Sequence, residues 1–211
     1  MNIIKATIII ALLSLTACRK ADEKVITPIN APSTSATQKT KMENDKTAIE
    51  TLVKDMYLWN SKRSYDNEFQ TVVKGDKVIG YNAESHTHFL KELRDSGYFA
   101  DEFIKNIDKI WQDQNKLITD GKVKWSKGDM GSFAGDVNVW CGCQDEPAEY
   151  TKITVHFDEL KDTNAKLYWN WEGFGDDWEA IHYNMRCVKE NGNWKIAYMQ
   201  GWDYAASLGV E

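Results

Sequence analysis

The apolar residues of this chain change their spacing halfway along, and that change sets the class of fold. Up to about residue 121 they recur at helical intervals. Ile49, Leu52, Val53, Met56 and Tyr57 form one stripe, with Lys46, Glu50, Lys54 and Asp55 off it. Phe89, Leu90 and Leu93 form a second, with Ser85 placed to cap its start and Gly97 its end. Phe99, Phe103, Ile107, Ile110 and Trp111 form a third, with Gly121 just beyond. Between the first two, Val72 to Ile79 reads as a short hairpin or an irregular loop around Gly75-Asp76.

From Val137 onward the period is two. Val137, Val139 and Cys141 alternate with Asn138 and Trp140, which predicts a strand carrying Cys141 and Cys143 on one face. Ile153, Val155 and Phe157 predict a second strand, and Leu167, Trp169 and Trp171 a third. Two last runs flank Asn191-Gly192, a dipeptide suited to a two-residue type I′ turn. In that register Glu190 faces Asn193, Cys187 faces Ile196 and Met185 faces Tyr198. His182, Asn184 and Arg186 then share the outer face with Lys195, Ala197 and Met199. Helices followed by antiparallel strands predict an α+β domain, with N-terminal helices packed on one face of a bent antiparallel sheet.

The first 43 residues obey neither period. Lys5 precedes an almost wholly apolar run from Ile8 to Leu15, too short to span a bilayer and suited to a signal peptide of residues 1–17. Residues 18–43 are rich in Ser, Thr, Ala, Lys and Pro and lack aromatics, which predicts a flexible tether. The remaining residues, 44–211, suit a single domain.

Charge divides along the same lines. The chain carries 26 basic and 32 acidic residues. Removing Lys5 and the tether's five basic and three acidic residues leaves 20 and 29, a domain near −9. Such a body argues against a nucleic-acid partner, which requires a basic surface to displace phosphate counterions. The positive tether suits anionic head groups.

Leu15-Thr16-Ala17-Cys18 resembles the lipobox of bacterial lipoproteins. The resemblance implies cleavage before Cys18, lipid on its sulfur, and a membrane as partner through that anchor. Position 19 is Arg rather than Asp, which by likeness to enteric lipoproteins implies the outer membrane, facing the periplasm. The order of helices and strands resembles the nuclear-transport-factor-2-like (cystatin-like) roll over most of residues 44–204. Within that superfamily the chain is similar to small bacterial envelope lipoproteins of unknown function. The lipobox, Cys143-Gln144-Asp145 and the run from Val188 to Ile196 carry the likeness. The longer tether and additional Trp residues depart from it.

Export permits disulfides. Cys141 or Cys143 can pair with Cys187, or the first two can bridge directly in a tight ring; spacing does not choose. Adding His156 or His182 gives no closed zinc motif, so no metal is expected. His86 and His88, two apart on a helix, read as surface residues. Rolls of this superfamily sometimes use an Asp–His pair or a lone Asp for proton transfer, a role open here to Asp145, His156 or Asp203. No nucleophile motif or phosphate loop accompanies them, so neither a cofactor nor catalysis is expected. Trp59, Trp140 and Trp178 are the tryptophans expected to be partly exposed. With Asp145, Asp176 and Asp177 they make up the candidate binding residues, Trp being a preferred interface anchor. The expected partner is an envelope protein or cell-wall component. An immunity lipoprotein that neutralises a toxin, and a lyase or isomerase using the roll's pocket, are the alternative readings.

Overall fold

The computed structural model describes residues 34–64, 68–128, 137–144 and 149–208. They lie in a compact unit that begins at Thr34. Helix α1 (Thr34–Asn60) leads into the hairpin β1 (Thr71–Lys74) and β2 (Lys77–Tyr81), then α2 (Ala83–Ser96) and α3 (Asp101–Thr119). Strands β3 (Ile153–Leu160), β4 (Asn164–Trp171), β5 (Tyr183–Glu190) and β6 (Asn193–Met199) follow, with a short α4 (Asp176–Glu179) between β4 and β5. Helix α5 (Tyr204–Leu208) closes the described chain. The fold is α+β. Strands β3 to β6 form one antiparallel meander in sequence order.

The expected tether gives way to helix at Thr34, ten residues before the expected domain edge. Once the buried stripe Ile49, Val53, Met56 and Tyr57 holds α1 on the core, each added turn costs little. Ala36, Gln38, Lys39, Lys41, Met42 and Glu43 are good helix formers. Lys41 also reaches Asp162, in the β3–β4 turn, at 2.8 Å. Further along α1, Asp45 accepts hydrogen bonds from Lys189 Nζ at 2.6 Å and Trp194 Nε1 at 2.8 Å, tying the helix to the last hairpin.

Helix α2 starts earlier than expected. Its cap is Asn82, whose Oδ1 accepts from the backbone N–H of Glu84 and Ser85, so Ser85 lies inside the first turn. Phe99 sits before α3 rather than within it. The stretch Tyr98–Ala100 runs along β6, with Ile196 N donating to Tyr98 O and Ala100 N donating to Ile196 O, both at 2.8 Å. This covers the open edge of the sheet, which would otherwise invite pairing with another chain.

The terminal hairpin has the expected turn, with Asn191 and Gly192 both at positive φ (51° and 82°). Glu190 faces Asn193 and Cys187 faces Ile196. Beyond that point the register corrects the expectation. A bulge at Ala197 shifts the pairing, so Met185 faces Met199 and Arg186 faces Tyr198. The extra residue swaps the faces downstream. Met199 enters the core, and Tyr198 turns to the outer face.

The inner face of the sheet is crowded with rings. Trp169, Trp171 and Tyr183 are buried beneath α1, where the Tyr57 ring meets Trp169 edge-on at 4.9 Å. Trp202, in the turn after β6, is also buried, and its carbonyl accepts from Asn106 of α3.

Candidate functional site

Two of the candidate binding residues, Trp59 and Trp140, meet around a residue the sequence did not single out. Arg63 follows the end of α1, in a turn held by its N–H donating to Asn60 O at 3.1 Å. Its side chain is 5% exposed. The guanidinium carbon lies 4.7 Å from the Trp59 ring centre, 5.1 Å from Phe89 and 5.6 Å from Trp140. A cation over several aromatic faces gains from each ring's quadrupole. Its N–H groups donate to Glu68 at 2.7 Å, Glu92 at 3.1 Å and Asn60 Oδ1 at 2.9 Å. Trp140 Nε1 donates to the same Glu68 carboxylate at 3.2 and 3.3 Å. Burial pushes the Glu68 carboxyl above the usual range, against Arg63 and Trp140, which favour its charged form.

Trp140 is carried by a loop, and this corrects the expectation of a strand at Val137–Cys141. Asn138 N donates to Cys143 O at 2.8 Å, and Gly142 N donates back to Asn138 O at 2.7 Å. Gly142, at φ +64°, takes a left-handed conformation that side chains disfavour. A disulfide joins Cys141 to Cys143 across it, with the Cα atoms 5.2 Å apart. Cys187 remains a free, buried thiol, pushed up to about 12 by burial. The tight loop turns Trp140 inward. Trp140 was expected to be partly exposed; it is 1% exposed, against Phe99 and Trp202. Tyr57 donates to Trp140 O at 2.5 Å, and Tyr183 to Val139 O.

Trp59 remains half-buried. With Asp55, Leu58, Lys62, Arg63 and Tyr98 it lines a cleft of about 450 Å³. The Trp59 and Tyr98 rings lie 5.9 Å apart and tilted, forming an aromatic wall beside the Lys62 and Asp55 charges. Arg63, locked by its carboxylates, forms the floor. Such a cleft can hold an apolar or ring-bearing group while offering one cation and one carboxylate at its rim.

The other expected binding residues lie elsewhere. Asp176, Asp177 and Trp178 form α4, where the two carboxylates are exposed and Trp178 packs edge-on against Trp171 at 5.4 Å. Cys18 and Asp145 lie outside the described residues. His156 contacts Asn170 at 3.1 Å and stacks on Tyr168, whose other face carries His182. Asp203 instead caps α5, accepting from Ala206 N at 3.0 Å. No hydrogen bond or ion pair among the described residues joins His156 to Asp203. Groups of three or more potential metal ligands do not converge among these residues either.

His86 is a second correction. Expected on the surface, it is 5% exposed, stacked on Trp111 at 4.3 Å, with Nε2 2.8 Å from Asp108 Oδ1. Burial pushes its pKa below the usual histidine value, against the pull of Asp108. Below about pH 6.5 the unfolded chain takes up a proton that the native chain resists. The stabilisation is therefore complete above that pH and declines as pH falls toward the depressed native value. Urea midpoints measured from pH 8 to pH 5 are expected to fall, and His86→Gln to flatten the decline. An unchanged slope in the variant would assign the decline to other groups.

No protein-family model, curated protein or solved structure matches this chain.

Sequence reasoning missed Arg63, Glu68 and Glu92 because each looks like an ordinary charged residue in a polar stretch. The one available signal was Arg63's position, one turn beyond the apolar stripe of α1 and four residues after Trp59.

Proposed function

We propose that this chain is an envelope lipoprotein, anchored through lipid on Cys18, whose folded part is a non-catalytic binding module. The roll-like order of elements fits the small envelope lipoproteins that its sequence resembles. The observation that carries the binding reading is the cleft beside Trp59, with its half-buried aromatic wall and immobilised floor. Arg63 is held by three side chains, so the floor is preorganised, and little ordering entropy remains there for a partner to supply. The inner face of the sheet, where a roll enzyme would hold its substrate, is filled by Trp169, Trp171 and Trp202. These features favour docking of an envelope protein or wall component over a lyase or isomerase reaction.

Two measurements test the two halves of this reading. Labelled palmitate is expected to enter the chain and to be lost in Cys18→Ser; incorporation in neither would remove the anchor. A photo-crosslinker at Lys62 is expected to capture one dominant envelope partner. Trp59→Ala should reduce that capture by more than about tenfold, as for an interface hot spot, with the circular dichroism spectrum retained. Crosslinked envelopes that yield no partner would overturn the docking half.

A further inference from the structure

A cationic ridge stands out on this acidic protein. The segment after α3 folds along β2: Val78 N donates to Trp125 O at 3.0 Å, Lys127 N donates to Asp76 O at 2.9 Å, and Lys77 bridges to Ser126. Lys74 and Lys77 of the hairpin thereby join Lys122, Lys124 and Lys127, all five exposed. None forms an ion pair among the described residues. Lys41, Lys91, Lys109, Lys116, Lys152 and Lys161 each do. Asp76 is the one acid on the hairpin, and Asp120, bordering the ridge, binds Lys116 at 2.9 Å and also attracts Lys122.

Exposed aliphatic surface gathers on the same ribbon. Val72, Val73 and Ile79 are 38%, 39% and 47% exposed, and they are three of the five large hydrophobic residues most open to solvent among the described ones. A guarded sheet edge explains part of this. Lysine and a bulge on a short edge strand discourage pairing, and β1 has both, the bulge lying between Val72 and Val73. That account does not reach Lys122, Lys124 and Lys127, which lie along β2 on the side already closed by Trp125 and Ser126. Nor does it explain Ile79.

We propose that this ridge is a membrane-contact face that rests on an anionic phospholipid surface. Unpaired lysines around exposed aliphatic side chains match a layer of phosphate head groups over hydrocarbon. The repulsive acidic body leaves this face as the one that electrostatics turns toward the bilayer. The bulged four-residue edge is a poor template for an added strand, which weighs against an acidic peptide as occupant. The contact is separate from the Trp59 cleft and does not require acylation of Cys18.

Hydrogen exchange of full-length Cys18→Ser protein on vesicles tests it, because the readout is local and blind to acylation. On phosphatidylglycerol vesicles at low salt, peptides covering 71–81 and 121–128 are expected to exchange several-fold more slowly than in solution. The protection should vanish on phosphatidylcholine vesicles, at 1 M salt, and in the variant with Lys74, Lys77, Lys122, Lys124 and Lys127 all changed to Gln. Each single Lys→Gln change should weaken docking about fivefold. Equal protection on the two lipids, no protection on either, or protection that survives in the Gln variant would overturn the proposal. Protection by soluble polyglutamate but not by phosphatidylglycerol would also overturn it, and would assign the ridge to an acidic protein.

Discussion

Gly201→Ala is expected to lower the free energy of unfolding by about 3 kcal/mol or more, among the largest effects of any single methyl in this chain. A Cβ at Gly201 would collide with the backbone carbonyl of Val139. A backbone carbonyl cannot swing aside as the end of a flexible side chain can. The same carbonyl accepts from Tyr183 Oη, which in turn accepts from Gly201 N at 3.0 Å. The three groups form a closed knot joining the Trp140 loop, strand β5 and the turn after β6. Pushing Val139 away breaks its hydrogen bond from Tyr183, and the buried Tyr183 hydroxyl is left without that acceptor, adding a desolvation penalty to the clash. Gly121→Ala supplies the comparison. Gly121 also resists a side chain, at φ +69°, but nothing lies within 4 Å of its added Cβ. Its cost is expected to be about 1–2 kcal/mol, from backbone strain alone. Equal costs at the two sites in urea titrations would mean that the close seating of Val139 on Gly201 is not present in solution.

The knot also shows where the sequence was readable and where it was not. Periodicity identified the three long helices and the four strands of the meander, because each buries one face and its apolar residues must repeat at the matching interval. It failed at Val137–Cys141, where the same alternation belongs to a turn closed by a disulfide. Local pattern does not distinguish a two-residue repeat in a strand from one in a loop that presses alternate side chains inward. The Asn191-Gly192 turn was legible because φ > 0 at both positions is chemically demanding. The Ala197 bulge was not, since alanine fits either side of a strand and nothing in its neighbours marks the slip. Trp59 was expected to be partly exposed, and it is half-buried. Trp140 was expected to be partly exposed because its inward turn depends on Tyr57, Tyr183 and Gly201, each more than forty residues away. His86 was misplaced for a similar reason: its burial depends on Trp111 and Asp108 of the next helix.

Arg63 and Glu68 are expected to be far more costly to disturb singly than together. Arg63→Met would leave the Glu68 carboxylate in a largely buried site with, among the described residues, only the Trp140 indole as donor, 3.2 Å away. Breaking a buried pair in this way costs about 3–5 kcal/mol, because one charge remains without compensation. Glu68→Gln should cost less, since Glu92 still faces the guanidinium at 3.1 Å and the amide oxygen can still accept from Trp140. The double variant should lose less than the sum of the two, with a coupling energy of about 1–3 kcal/mol. Additive losses would mean that water screens the pair and that Arg63 is not the rigid floor of the cleft. The Glu68 carboxyl gives an independent check. Its pKa is raised by burial, so the native chain keeps that proton to higher pH than the unfolded chain does. By linkage its contribution to stability falls as pH rises from about 4.3 through the native value. Glu68→Gln should abolish that component of the pH profile, whereas Arg63→Met should move it to higher pH. A profile that responds to both changes would show that floor and carboxylate act as one unit, and that a partner at Trp59 meets a surface already fixed in place.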